Sequence, residues 1–344
     1  MLALIAPDKF KGTLSALEVA EAMGRAATAL GIQTIQVPLA DGGEGTVSVL
    51  GGANRNSEVS GPLGEKVIAR WRLADGTAII EMASASGLTL VGGASKNDPL
   101  KATSRGTGEL IAEAIKAGAS RIIVGAGGSA CTDGGLGAVE ILKHYAPFDG
   151  TRGYELIIAC DVQTPFLEAA EVFGPQKGAS PHQVVELTST LKLLAKQYRE
   201  EFGVNVNGIR GSGAAGGFAG GMAALGASIV DGFELIAREI NFEANLQKCD
   251  FVLTGEGSLD QSSFEGKVVG SVLARAMEIG VPCGVIAGRI AENVKGDFFS
   301  ASLVTVYGAT QAMNETAQSV ESATGEILKQ FLSMHPVSNR GEKI

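Results

Sequence analysis

Five stretches of the chain place a carboxylate in a glycine-rich loop directly behind a short apolar run. They are APDKFKG (Asp8), PLADGGEG (Asp41, Glu44), GAGGSACTDGG (Asp133), ACDVQTP (Asp161) and TGEGSLDQSSFEGK (Glu256, Asp260). Glycines let backbone N–H groups approach a ligand closely and carboxylates hold hard cations, so the combination suits a Mg²⁺–phosphate ligand. One such acid by itself is ordinarily a helix cap or a turn residue. Five of them favour a shared site if the preceding strands are parallel and bring the acids to one edge.

Other segments point the same way. GGSACTDGG offers Ser129 and Thr132 hydroxyls on a strand-to-helix turn, where an anion nest can form. GPQKGAS presents Lys177 on a Gly/Pro loop, and GSGAAGG (211–217, with Gly213) is a flexible run entering an apolar helix. Lys9 and Lys11 lie between Asp8 and Gly12. A lysine beside phosphate is common in phosphoryl transfer, although a solvated surface lysine is commoner. The Walker pattern is absent, since Gly266-Lys267 is followed by Val268. Gly125 to Ala130 matches G-x-G-x-x-A, but no acid ends a following strand about twenty residues on. An NAD-dependent oxidoreductase of a small hydroxy acid is therefore the second reading, and a non-catalytic metabolite-binding protein the third.

The elements that must position these residues follow an α/β pattern. Leu2 to Ala6 reads as a strand, Ser15 to Glu18 as a capping box opening a helix to Leu30, and Ile32 to Val37 as a strand. Residues 55–82 alternate in polarity around Asp75-Gly76, which predicts an antiparallel hairpin. Helix–strand alternation then resumes with a helix over 107–116, strands 121–124 and 155–159, and a helix from Ser180-Pro181 to about 201. Strands are expected at 251–254, 283–287 and 303–306, with helices near 268–279 and 314–332. The expected fold is α/β in two domains, a flavodoxin-like (Rossmann) parallel-sheet domain and an inserted mixed α/β domain. Residues 1–48, 100–130 and 245–334 are assigned to the first, 49–99 and 131–244 to the second, and 335–344 to a polar tail.

Composition narrows the function classes. The 344 residues carry 28 Lys+Arg against 37 Asp+Glu, a net charge of −9, which disfavours nucleic acid and anionic membranes as partners. Glycine, at 48 residues, is about twice as frequent as usual, and the glycines cluster behind expected strands. No apolar stretch is long enough for a bilayer span, and Met1 to Ala6 runs into Pro7-Asp8-Lys9 rather than a signal-peptide pattern. The four cysteines are scattered without metal or redox spacing, and the three histidines offer little for a zinc site or a triad. A cytoplasmic protein is expected, with its oligomeric state open.

The blocks IAPDKFKGTLSALEVAEAM, PLADGGEGT, EMASASGL, TSRGTGELI, GGSACTDGGLGA, CDVQTP, FGPQKGAS, GAAGG and TGEGSLD, in this order, resemble the class I glycerate kinase family over nearly the whole chain. The resemblance implies ATP-dependent, Mg²⁺-assisted phosphorylation of D-glycerate to 2-phosphoglycerate. Catalysis then falls on Asp8, Lys11, Asp133, Asp161 and Asp260. Substrate or phosphate binding falls on Asp41, Gly42, Gly43, Glu44, Ser84, Ser86, Gly128, Ser129, Lys177, Gly213 and Glu256, and the metal on Asp161 and Asp260. The blocks also cover Ser15, Thr103, Gly106, Thr107 and Gln176. Lys9, Thr132, Thr164-Pro165-Phe166 and Gln261-Ser262-Ser263 depart from the family's usual residues. Which acid acts as base and which holds metal stays open, with Asp161, Asp260, Asp133 and Asp8 preferred in that order.

Overall fold

The structure is a computed structural model that describes residues 1–335; the expected tail lies, apart from His335, outside the described residues. In chain order the strands are β1 (Leu2–Ile5), β2 (Gln33–Gln36), β3 (Arg55–Ser60), β4 (Lys66–Ala74), β5 (Thr77–Glu81), β6 (Arg121–Gly125), β7 (Glu155–Cys160), β8 (Ser228–Asp231), β9 (Phe251–Leu259), β10 (Cys283–Ile290) and β11 (Phe299–Ser302). Two units emerge. Residues 1–40 and 236–335 form the first, and residues 41–235 form the second, inserted into it along the chain.

The first unit holds a five-stranded parallel sheet in the order β11-β10-β9-β1-β2. Counted within the sheet this is 2-1-3-4-5, the flavodoxin-like order, whose ligand crevice lies where the chain reverses direction, between β1 and β9. The sequence reaches this arrangement through near-continuous apolar runs such as FVLT and CGVIA, which suit strands covered on both faces. Helix Ala16–Ala29 starts at the expected capping box, with the Ser15 hydroxyl accepting from Glu18 N and Glu18 reaching back to Ser15 N. Together with helix Thr316–Met334 it packs on Phe251, Leu253 and Ile286, while helix Val268–Glu278 contacts β9 and β10. One expected strand is corrected. Residues 303–306 begin a helix, Leu303–Tyr307, because the Ser302 hydroxyl caps it by accepting from Thr305 N; the strand is Phe299–Ser302 instead.

The second unit is a six-stranded sheet in sequence order β3 to β8, antiparallel from β3 to β5 and parallel from β5 to β8. Asp75 and Gly76 both have positive φ (49° and 73°), as a two-residue hairpin turn matching strand twist demands. Helices Arg105–Lys116, Leu136–Leu142, Pro181–Phe202 and Phe218–Ala224 lie between the parallel strands and share one core with Ile122, Val124, Leu156 and Ile158. Two of these helices touch backbone to backbone: a Cβ on Gly108 would stand 2.6 Å from Ala138 Cα.

The expected domain boundaries are corrected in three places. Residues 100–130 supply β6, hydrogen-bonded between β5 and β7, and so belong to the second unit. Residues 41–48 join it too, held by Glu81, and residues 236–244 join the first unit. An apolar strand such as RIIVG carries no local mark of which parallel sheet receives it. All four cysteines are free, buried thiols, and no described helix is long and apolar enough to cross a membrane.

Gly106 and Gly325 make a paired test of this packing. A Cβ on Gly106 would strike the Ser60 carbonyl oxygen of β3, whereas one on Gly325, within helix Thr316–Met334, meets nothing within 4 Å. Gly106→Ala should destabilise the protein by about 1–3 kcal/mol, and Gly325→Ala should stabilise it by roughly 0.5–1 kcal/mol. Urea midpoints of the two variants should move in opposite directions. Movement in the same direction would contradict this packing.

Candidate functional site

In the first unit the chain beyond β1 stays paired to β9, with Ala6 N donating to Leu253 O (2.8 Å), Asp8 N to Gly255 O (2.9 Å) and the Thr254 hydroxyl to Ala6 O (2.8 Å). These bonds hold Asp8 at the switch point beside Glu256 of β9. Asp8 Oδ1 accepts from Lys9 N (2.7 Å) and lies 3.7 Å from Lys9 Nζ. Glu256 has one carboxylate oxygen, Oε1, shut away from solvent and without a hydrogen-bond partner among the described residues. Burial pushes its carboxyl up to about 7 against the Ser263 hydroxyl; the negative charge of Asp8 adds to this, Lys267 opposes it and Asp260 adds further.

Asp260, at the end of β9, caps the short helix Gln261–Phe264. Its Oδ1 accepts from Ser262 N (2.8 Å) and Ser262 Oγ (2.6 Å), and the Ser262 hydroxyl is the largest cause that lowers its pKa, ahead of the Ser262 amide. Lys267 donates to the same Ser262 hydroxyl at 2.8 Å. Lys11 is exposed on the loop after β1.

In the second unit the loops gather at the carboxyl ends of β5, β6 and β7. Glu81, the last residue of β5, accepts from Gly45 N (3.0 Å) and Val47 N (2.8 Å), and so ties down the PLADGGEGT block. Asp41 Oδ1 accepts from Gly43 N (3.1 Å), Gly42 is buried against Gly232 and Ala159, and Glu44 is exposed. The Ser84 hydroxyl donates to Glu81 O (2.7 Å). Ser86 is fully buried, accepts from the Thr107 hydroxyl (2.8 Å), and takes Ala130 N on its carbonyl (2.9 Å). The Gly127 and Gly128 amides have no partner among the described residues, and Gly128 is exposed.

Two residues expected at the ligand prove to support the loop from within. Lys177 is only 4% exposed, and its ammonium donates to the Ser129 hydroxyl (2.9 Å) and the Cys131 carbonyl, while Asn97 bridges the Lys177 and Ala130 carbonyls. Burial lowers the Lys177 pKa, against the favourable charges of Cys131 and Asp133, and pushes the Cys131 thiol up. Asp133 is saturated. Its Oδ2 accepts from Ser104 N and Oγ (both 2.8 Å), the Thr103 hydroxyl (3.3 Å) and Gly137 N (3.3 Å), and its Oδ1 from Gly135 N (3.1 Å). Gly213 is buried and donates to Thr164 O (2.9 Å), which fastens the loop that follows Asp161 at the end of β7.

The acids therefore lie on the carboxyl edges of two sheets, not on one: Asp8, Glu256 and Asp260 on the first, Asp133 and Asp161 on the second. Among the described residues no group of three or more His, Cys, Asp or Glu could hold a metal ion unaided. Sequence reasoning passed over Glu81, Asn97 and Ser104, whose only signal was a place inside quoted blocks or beside them, and Lys267, noted only for failing the Walker pattern. The dinucleotide reading also fails on geometry. A Cβ on Gly125 would meet Gly42 O at 2.7 Å and one on Gly127 would meet Gly43 Cα at 2.7 Å, so these glycines receive a protein loop, and the next helix starts only at Leu136.

The sequence profile of the Glycerate kinase family matches residues 3–147 and 147–333. The chain belongs to this family. It is 41% identical over 333 residues to the glycerate 2-kinase of Escherichia coli (strain K12), covering 86% of this chain and 87% of the relative. The glycerate kinase of Bacillus subtilis (strain 168) is 38% identical over 330 residues, at 85% and 86% coverage. A crystal structure provisionally called glycerate kinase 2, from Salmonella typhimurium LT2, superposes with a TM-score of 0.82 at 33% identity, covering 98% of this chain and all of that one. The protein is accordingly an enzyme of the glycerate kinase family, with that family's two-domain α/β fold.

Glu256 gives a stability test that needs no activity. A carboxyl raised from 4.5 to about 7 stays protonated in the folded protein while the unfolded chain ionises, so its contribution to stability is full below pH 4.5 and is lost as pH rises through 7. Glu256→Gln should match wild type near pH 4 and exceed it at pH 8 by on the order of 2–3 kcal/mol. Urea unfolding across that range checks it; a pH-independent difference would mean that Glu256 ionises normally.

Proposed function

We propose that the protein transfers the γ-phosphoryl group of ATP to D-glycerate, giving ADP and 2-phosphoglycerate, with Mg²⁺ bound. The observation that carries this reading is the orphaned, buried Glu256 oxygen at the β1/β9 switch point, beside Asp8. An oxygen-seeking dication fits there: Mg²⁺ is commonly held by one or two carboxylates and completed by substrate phosphates, so a third protein ligand is not needed. Asp8 and Glu256 are the residues we assign to hold it, in place of the Asp161–Asp260 pair expected from sequence, because Asp260 spends its Oδ1 on the Ser262 amide and hydroxyl whereas Glu256 keeps an oxygen unmatched. Bound there, Mg²⁺ would neutralise charge on the phosphates.

The chain's own groups account for the remaining tasks. Unpartnered amides at Gly127 and Gly128 offer donors to the glycerate carboxylate. Transfer forms a bond from the substrate hydroxyl oxygen to the γ-phosphorus and breaks the bond to the bridging oxygen, while the hydroxyl proton must pass to a base. Asp161, at the carboxyl end of β7, is our assignment for that base. Asp133 is unsuited, since its lone pairs already serve the loop.

Coupled ADP release with the product identified by ³¹P NMR tests the reading. D-glycerate and Mg-ATP should yield ADP and 2-phosphoglycerate in equal amounts, and EDTA should abolish turnover. Asp8→Asn and Asp161→Asn should each lower kcat by at least about a hundredfold with the melting temperature unchanged, whereas Asp133→Asn should mainly cost stability. Full turnover in EDTA would remove the metal from the mechanism, and 3-phosphoglycerate as product would correct the acceptor hydroxyl.

A further inference from the structure

Beyond Ala287, where its pairing with β11 ends at Ser302, β10 continues to Ile290 beside β9, and its outer edge has no partner strand there among the described residues. A groove of about 320 Å³ opens at this place. Gly257 and Gly288 line it together with apolar Val304 and Met313 and two cations, Lys11 and Arg289. Both cations are exposed and have no ion-pair or hydrogen-bond partner among the described residues. The glycines matter: the two strands approach so closely that a Cβ on Gly288 would strike the Gly257 carbonyl oxygen, and one on Gly257 would stand 3.3 Å from Lys11 N.

An unpaired strand edge offers donors and acceptors to a flat heterocycle, an apolar wall covers its face, and unneutralised cations attract phosphates. We infer that this groove is the nucleotide site, with the adenosine against Val304 and Met313 and the phosphates on Lys11 and Arg289. The inference rests on the reading of ATP as phosphoryl donor and adds where ATP sits. Lys11 belongs to the loop that carries Asp8, so phosphates bound at Lys11 lie three residues along the chain from one proposed metal ligand. Gly257 and Glu256 face opposite sides of β9, as successive strand residues must. The nucleotide base and the buried carboxylate are thereby kept on separate faces, and only the phosphates need approach both.

Two substitutions at exposed positions separate the halves of the site. Met313, 59% exposed, can be enlarged by Met313→Trp without disturbing the core, and Arg289→Ala removes one cation. Titration calorimetry with ADP on the full chain should show each variant binding at least about tenfold more weakly. Adenosine should lose competition against ATP in Met313→Trp, and inorganic tripolyphosphate in Arg289→Ala. The KM for ATP should rise in parallel while the KM for D-glycerate stays within about twofold. Wild-type ADP affinity in both variants, in a protein that phosphorylates glycerate with ATP, would overturn the groove and leave the function standing. A wild type that binds no ADP and uses no ATP would overturn both.

Discussion

At the carboxyl edge of the six-stranded sheet there is no room for side chains between the loops. Gly42 lies where a Cβ would be 2.7 Å from Gly232 Cα and 3.1 Å from Ala159, and Gly125 and Gly127 would each collide with the 42–43 backbone. Gly216 stands against Cys131 and Thr132 in the same way. Main chain therefore packs on main chain, which fixes the loops without tethers of variable length. It leaves their amides at defined positions, and the glycine richness of the chain follows from it.

Carboxylates then divide by what surrounds them. Asp133 and Glu81 spend their oxygens on backbone and hydroxyl donors within the second unit, and they hold the glycine loops in register with the strands. Glu256 is the opposite case: it is largely buried with one oxygen unmatched, and burial above all holds its uncharged form up to about pH 7. Buried Lys177 belongs with the first group, because its ammonium is consumed by Ser129 and Cys131. A charge in a glycine loop is thus no guide to ligand contact; the number of partners it already has is.

Much of this was legible in the sequence. The capping box at Ser15, the N-cap and first-turn pair Ser180-Pro181, the Asp75-Gly76 turn and the apolar strand runs located their elements to within a few residues. The two-domain α/β fold and the family were legible as well, because ordered motif blocks survive where short patterns mislead. Three features were not. The assignment of β6 to a sheet depends on long-range pairing, and helix Leu303–Tyr307 depends on one serine overriding a β-prone run. The place of Asp41 in the second unit rather than the first depends on the tether from Glu81 to the loop behind it. As for the site, sequence named most of the acids but could not separate Asp133, which is saturated, from Glu256, which is not.

The four buried thiols, Cys131 and Cys160 in the second unit and Cys249 and Cys283 in the first, give the molecule an internal clock. A sulfur enclosed in this way exchanges with an aromatic disulfide reagent only during the intervals when its surroundings open, so labelling rates count opening events. With two sulfurs in each unit, mass spectrometry of the labelled peptides would time the breathing of each unit separately. No foreign probe would have to be introduced, and nucleotide or glycerate would slow the clock of whichever unit it grips.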